Sequence, residues 1–157
     1  CGEFYWLARG GTCAFAEGIE TLARNMAESD PSMILVVPRV LDRIYAKVKA
    51  GIEGASGKKK ALIEWALTVG EEMVDRQAEK RAVGPILLLK HLIADKLALS
   101  KLREKIGPNL RLVVSGGAPA TKETLRFFNS IGISTLEGYG LTETAAPSNV
   151  NLVSCVR

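Results

Sequence analysis

Near the end of the chain, Gly138, Tyr139, Gly140, Thr142 and Glu143 have the types and spacing that could hold a nucleotide with its metal. Upstream, Ser115-Gly116-Gly117 offers a second glycine turn. Glycine adopts backbone angles other residues avoid and lets a ligand come close to the chain. Successive backbone N–H groups in such turns can cradle an anion. Tyr139, held between two glycines, offers a flat face to a heteroaromatic ring. Thr142 can donate a hydrogen bond to a phosphate oxygen, and Glu143 is a hard oxygen ligand suited to Mg²⁺. A purely structural reading competes. Glycine turns followed by Thr and Glu are common, and a glutamate in the first turn of a helix is favoured by the dipole. On spacing alone the structural reading is the favoured one.

These residues need elements to position them. Glu3 to Ala8 reads as the tail of a helix ended by Gly10-Gly11, and Thr12 to Ala16 as a short strand. Ile19, Leu22, Ala23 and Met26 follow with helical spacing, stopped by Asp30-Pro31. Met33 to Val37 is a continuous apolar run, suited to a parallel strand covered on both faces. Pro38 opens a helix whose apolar face is Leu41, Ile44, Tyr45, Val48 and Ile52, before a glycine-rich break at 51–57. Two long helical patterns come next. Leu62, Trp65, Ala66, Val69 and Met73 mark the first; Ile86, Leu89, Ile93 and Leu97 mark the second, stopped by Gly107-Pro108. The charged stretch Glu71 to Arg81 between them reads as a solvated face. Leu110 to Val114 is a strand, Ser115 to Pro119 a turn, and Lys122 to Ile131 a helix with Leu125, Phe128 and Ile131 inward. Ile133 to Leu136 is a further strand and Glu137 to Gly140 a second glycine turn. This order predicts an α/β fold of parallel-sheet βαβ units with right-handed crossovers. The helical pair at 58–106 reads as an insertion in it. If the strands are parallel, both glycine turns lie on the carboxyl rim, where open α/β sheets bind ligands.

Composition excludes several alternatives. With 157 residues, 47% hydrophobic and 24% charged, the chain can build a real core and is not disordered in character. A net charge of +4, without a basic stripe interleaved with aromatics, argues against nucleic acid as a partner. Cys1, Cys13 and Cys155 are scattered and lack metal-site spacing, which favours a reducing compartment such as the cytoplasm. No apolar run approaches the ~20 residues of a membrane span. The chain opens without Met and stops abruptly, so both ends read as cuts and 1–157 as an internal fragment of a longer domain.

The segment Glu137-Gly-Tyr-Gly-Leu-Thr-Glu-Thr144 resembles the tyrosine-glycine-leucine-threonine-glutamate signature of the adenylate-forming, AMP-binding enzymes. Ser115-Gly-Gly-Ala-Pro119 is similar to that family's preceding glycine turn. Val37-Pro-Arg-Val-Leu-Asp-Arg-Ile-Tyr45, Ala94 to Arg103, and Ala14 to Leu22 resemble segments of the long-chain fatty acyl-CoA synthetase branch. The resemblance implies part of the large N-terminal domain of a ligase that uses ATP, Mg²⁺ and coenzyme A. Such a ligase converts a long-chain fatty acid to acyl-AMP and then to the thioester. It implies that Tyr139 stacks on adenine and that Gly116, Gly117 and Ala118 line the adenosine and the acyl carboxylate. It further implies that Glu137, Gly138, Gly140 and Leu141 shape the nucleotide segment, that Thr142 binds the α-phosphate and that Glu143 holds the metal. Thr142 and Glu143 are thus the catalytic pair. The family's phosphate-gripping loop, ribose-binding aspartate and C-terminal catalytic lysine have no counterpart in these residues. The piece alone is therefore expected to be inactive, and its cut sheet to favour self-association.

Other residues have plainer readings. His91, amid Leu88, Leu89 and Leu92, belongs to a helix face or core rather than to a general base. Lys58-Lys59-Lys60 suits a solvated loop better than phosphate or an anionic membrane surface, although peripheral membrane contact stays open. Cys13 reads as a small buried hydrophobe. Trp6, Trp65, Phe127 and Phe128 read as packing residues. Two alternatives stand beside the ligase: an adenylating enzyme for an aryl or medium-chain acid, and a non-catalytic nucleotide-binding or helical module. An exposed stripe along Trp65, Val69 and Met73 would favour the module, and its burial would count against it.

Overall fold

The computed structural model describes residues 8–141, 143 and 147–150. Its sheet has the order β1 (Met33–Val36), β2 (Leu112–Gly116), β3 (Ser134–Gly140), β4 (Pro147–Val150). β1, β2 and β3 run parallel, in the register Val36 to Ser115 to Glu137, and β4 closes the row antiparallel to β3. The expected α/β fold with parallel strands is present, with an antiparallel edge that the pattern did not indicate. Before β1 lies α1 (Leu22–Ser29). Between β1 and β2 come α2 (Pro38–Glu53), α3 (Gly57–Ala78), α4 (Pro85–Ala94), a π-helical turn (Asp95–Leu99) and α5 (Ser100–Ile106). Between β2 and β3 comes α6 (Lys122–Ser130).

The helices cover one face of the sheet. Ile34 and Val36 of β1, Val113 of β2 and the buried Phe128, Ile131 and Ile133 join one core with Leu41, Ala66, Val69, Leu99 and Leu102. Side chains alternate along a strand, so Leu35, paired with Val114, belongs to the other face. Leu35 is 52% exposed. The two-sided cover expected for β1 is therefore not met among the described residues: the sheet has a helical side and an open side.

Three further expectations are corrected. Residues 12–16 form no strand, because no described strand offers them a ladder, and Cys13 is only half-buried. The second glycine segment is not a turn: β3 continues through Gly140, paired with β2 as far as Gly138 and with β4 from Gly138 to Gly140. Finally, α4 buries the opposite face from the one read. Leu87, Ala94 and Ala98 point inward while Ile86, Leu89, Ile93 and Leu97 are exposed. Apolar residues occupy nearly every position of α4, so spacing could not choose a face; the small alanines let the helix and the π-turn pack closely against α3.

Polar contacts fasten this frame. Arg103 donates two hydrogen bonds to Asp95 (2.6 and 3.0 Å) and one to the Ile131 carbonyl (2.6 Å), pinning the π-turn to the end of α6. Tyr45 of α2 donates to Glu123 of α6 at 2.6 Å, Lys49 lies 3.4 Å from the same carboxylate, and the Tyr45 ring packs on Phe127. The hydrogen bonds from Tyr45 and Lys49 hold the Glu123 carboxyl below its usual range. Burial, then the bond to Glu123, raises Tyr45, and the bonds to Tyr45 and Glu123 raise Lys49. A depressed carboxyl contributes stability that is present at neutral pH and lost on acidification. The raised phenol and ammonium contribute stability that is lost in strong alkali. The difference in melting temperature between the native chain and Glu123→Ala should therefore be flat between about pH 6 and 9 and shrink below about pH 4. A difference that grew on acidification would contradict this sign.

Candidate nucleotide site

Parallel pairing brings the carboxyl ends of β1, β2 and β3 to one rim. There Gly116 stands opposite Gly138. Gly116, Gly117, Gly138, Gly140 and Leu141 line a single depression of about 570 Å³ with Leu35, Val37, Val114 and Val150. That volume lies within the range of small-molecule sites. The depression opens on the uncovered side of the sheet, and its walls are chiefly backbone and aliphatic side chains.

Glycine is needed at this rim for identifiable reasons. Gly117 has φ +86°, a left-handed angle that costs a residue with a side chain, and an added Cβ there would stand in open space above the rim. At Gly116 an added Cβ would come 3.4 Å from the Gly138 carbonyl oxygen, so the two strand ends meet backbone to backbone. The absence of side chains at these glycines leaves the backbone of both strand ends accessible to a ligand at the rim.

Glu137 and Tyr139 belong to the other face of β3 by alternation. Glu137 accepts a hydrogen bond from the Ala120 backbone N–H at 3.0 Å, which holds the 117–121 loop against β3. That contact gives Glu137 a positioning role that its place in the motif did not reveal. Tyr139, on the same side of β3 by alternation, is 62% exposed. Its neighbour Gly140 lies at a shift in the β3–β4 register. Such bulges re-aim side chains near functional sites. Ala118 is exposed on the loop beyond Gly117 rather than in the depression. Glu143 is exposed just past the rim, and Thr142 lies outside the described residues.

A latch the motif reading missed fixes the loop's far end. Thr121 caps α6, its hydroxyl accepting from the Thr124 N–H (3.3 Å) and donating to the Thr124 hydroxyl (2.7 Å). Thr124 in turn donates to Asp42 of α2 at 2.7 Å. The signal was present as a threonine directly before the helix. Thr121→Ala should cost about 1 kcal/mol in urea denaturation, and Thr121→Ser should restore most of it. Equal stability of all three proteins would show that the cap carries no weight. Ser115 is buried on β2, and among the described residues its hydroxyl has no hydrogen-bond partner.

Among the described residues no group of three or more His, Cys, Asp or Glu is placed to hold a metal ion. A Mg²⁺ here would be held by Glu143 together with ligand phosphates, the usual arrangement for that ion. His91 is half-buried on α4, away from the rim, in keeping with a helix-face role.

Comparison with known proteins identifies the fold's relatives. The chain is 34% identical over 137 residues to the long-chain-fatty-acid–CoA ligase FadD15 of Mycobacterium bovis, covering 85% of this chain and 22% of that protein. It is 32% identical over 158 residues to the long-chain-fatty-acid–CoA ligase ACSBG2 of Xenopus laevis (97% and 21%). It is 30% identical over 139 residues to the long chain acyl-CoA synthetase 5 of Arabidopsis thaliana (87% and 20%). The chain thus spans about a fifth of the length of the curated relatives it matches. No solved structure gives a significant match. The profile of the family described as AMP-binding enzyme matches residues 1–156, almost the whole sequence. With the paired glycine segments at one rim, that match means the chain belongs to the AMP-binding enzyme family.

Proposed function

We propose that this chain forms the nucleotide rim of an acid–CoA ligase that activates a long-chain fatty acid. The observation that carries the reading is the pairing of Gly116 with Gly138 above one aliphatic depression, in a chain whose relatives are named long-chain acyl-CoA ligases. Tyr139 stacks on adenine beside the 117–121 loop, while Gly116, Gly117 and Ala118 lie along the adenosine and the acyl carboxylate. Gly138, Gly140 and Leu141 shape the segment that passes the phosphates, which Thr142 meets with its hydroxyl. The fatty acid carboxylate attacks the α-phosphorus of ATP, forming acyl-AMP and releasing pyrophosphate. The thiol of coenzyme A then attacks the acyl carbon and AMP leaves. Hydrogen-bond donors fixed at the phosphates lower the first barrier by meeting charge as it develops. Glu143 would hold Mg²⁺, which when bound would supply further charge neutralisation at the phosphates.

The aliphatic lining of the depression favours an apolar acid over a polar one. Burial of Val69 (6%) and Met73 (8%) weighs against the helical interaction module, although Trp65 stays 39% exposed. The test is product analysis with the full-length protein, ATP and coenzyme A, offering long-chain, medium-chain and aryl acids in competition. The long-chain thioester should dominate. Dominance of a medium-chain or aryl thioester would retain the adenylation chemistry and reject the long-chain assignment.

A further inference from the structure

We propose that Asp42 is a positioning residue for acid activation: through Thr124 and Thr121 it sets the 117–121 loop against the nucleotide, an inference that rests on the ligase reading. The loop starts at the left-handed Gly117 and passes Ala118, both of which lie along the adenosine in that reading. Neither carries a polar side chain to hold it, so their position depends on the tethers further along the loop. One tether is Glu137, which accepts from the Ala120 N–H at 3.0 Å. The other is a chain of hydroxyls that ends on Asp42, 79 residues before Thr121 in the sequence.

Proton counting gives that chain a direction. A hydroxyl has one proton to donate, and a carboxylate only accepts. Thr124, 1% exposed, gives its proton to the Asp42 carboxylate at 2.7 Å. Its oxygen is then left to accept from the Thr121 hydroxyl at 2.7 Å, and the Thr121 oxygen accepts from the Thr124 N–H at 3.3 Å. Asp42 therefore orients both hydroxyls and, with them, the end of the loop. A bond from a buried hydroxyl to a carboxylate is stronger than one between neutral groups, and the amino end of α6 favours a negative charge beside it. Asp42 itself stands on a fixed element. α2 begins at Pro38, directly after Val36 and Val37 of the depression, and the adjacent Leu41 is fully buried. The second polar link between α2 and α6, from Tyr45 to Glu123, engages α6 itself rather than the loop. Positioning of the loop and fastening of the helices thus fall to different side chains.

The test uses the full-length protein, with ATP–pyrophosphate exchange for KM and kcat and amide hydrogen exchange for the loop. Contacts along the adenosine are the same before and during the chemistry, so their loss raises the KM for ATP and spares kcat. Asp42→Ala and Thr124→Val should each raise that KM on the order of tenfold. The double variant should go no further than either single one, because both cut the same bond. Asp42→Asn, which keeps an acceptor, and Thr124→Ser, which keeps the hydroxyl, should recover most of the loss. Tyr45→Phe, which cuts the link to Glu123, should lower the urea midpoint without moving the KM for ATP. Amide exchange across 117–121 should be faster in Asp42→Ala and native-like in Tyr45→Phe. An unchanged KM for ATP in Asp42→Ala and Thr124→Val, or one raised equally by Tyr45→Phe, would overturn the proposal and leave these bonds purely structural. Native-like amide exchange across 117–121 in Asp42→Ala would overturn it as well. Native protein that exchanges no pyrophosphate would reject the ligase reading and the inference with it, a failure distinct from exchange that Asp42→Ala leaves untouched.

Discussion

Gly70→Ala is expected to destabilise the protein by about 1–3 kcal/mol, although alanine is ordinarily the better helix former. Gly70 lies where α3 crosses α6, and there is no space for a side chain. A Cβ at this position would stand 2.2 Å from the Ser130 carbonyl oxygen, 3.0 Å from its carbon and 3.3 Å from its Cα. All three are backbone atoms, so no side chain can swing aside; α3 must move off α6 or the end of α6 must shift. Either motion loosens the packing of Val69 and Phe128 and disturbs the ion pairs of Arg126 with Glu71 and Asp75. Gly51→Ala is the matched control. Gly51 is an exposed residue within α2 with nothing within 4 Å of an added Cβ. That substitution should stabilise by about 0.5–1 kcal/mol through helix propensity alone. Urea denaturation of the two variants should move the midpoint in opposite directions. A Gly70→Ala protein as stable as the native would contradict a backbone-to-backbone crossing of α3 and α6 at Gly70.

The second large effect is expected at Glu143. In the full-length protein, Glu143→Ala should lower the adenylation rate by about 10²–10³-fold, the scale of losing one preorganised charge-stabilising group. Exposure of this carboxylate just past the rim allows it to share a hydrated cation with phosphates. Raising Mg²⁺ should therefore recover part of the rate of Glu143→Asp, and little of that of Glu143→Ala. A loss in Glu143→Ala unaccompanied by any change in Mg²⁺ dependence would assign the residue to the fold rather than to the metal.

Much of this architecture was legible in the residues, and the failures have physical causes. Pro38 at the first turn of α2, Asp30-Pro31 after α1 and Gly107-Pro108 after α5 mark helix ends through local backbone chemistry, which needs no tertiary information. Leu125, Phe128 and Ile131 were read correctly as inward because α6 is strongly two-faced. α4 was misread because its apolar residues surround the axis. Only the fit of Ala94 and Ala98 against α3 selects the buried side, and the π-turn then shifts the phase. Gly138 and Gly140 suggested a turn, but pairing with β2 and β4 overrides the low strand propensity of glycine. At the rim, the glycines and Tyr139 could be named from their spacing. The Glu137–Ala120 bond and the bond from Thr124 to Asp42 could not, since each joins residues that only the folded chain brings together; the local Thr121 cap was signalled by its place directly before α6.

The central claim is that this rim serves acid activation by ATP. ATP–pyrophosphate exchange by the full-length protein tests it most directly. Labelled pyrophosphate should enter ATP only when a long-chain fatty acid is present, and without any need for coenzyme A, because the adenylate forms before the thiol attacks. Folded protein that binds ATP yet exchanges no pyrophosphate with any carboxylic acid would contradict the account.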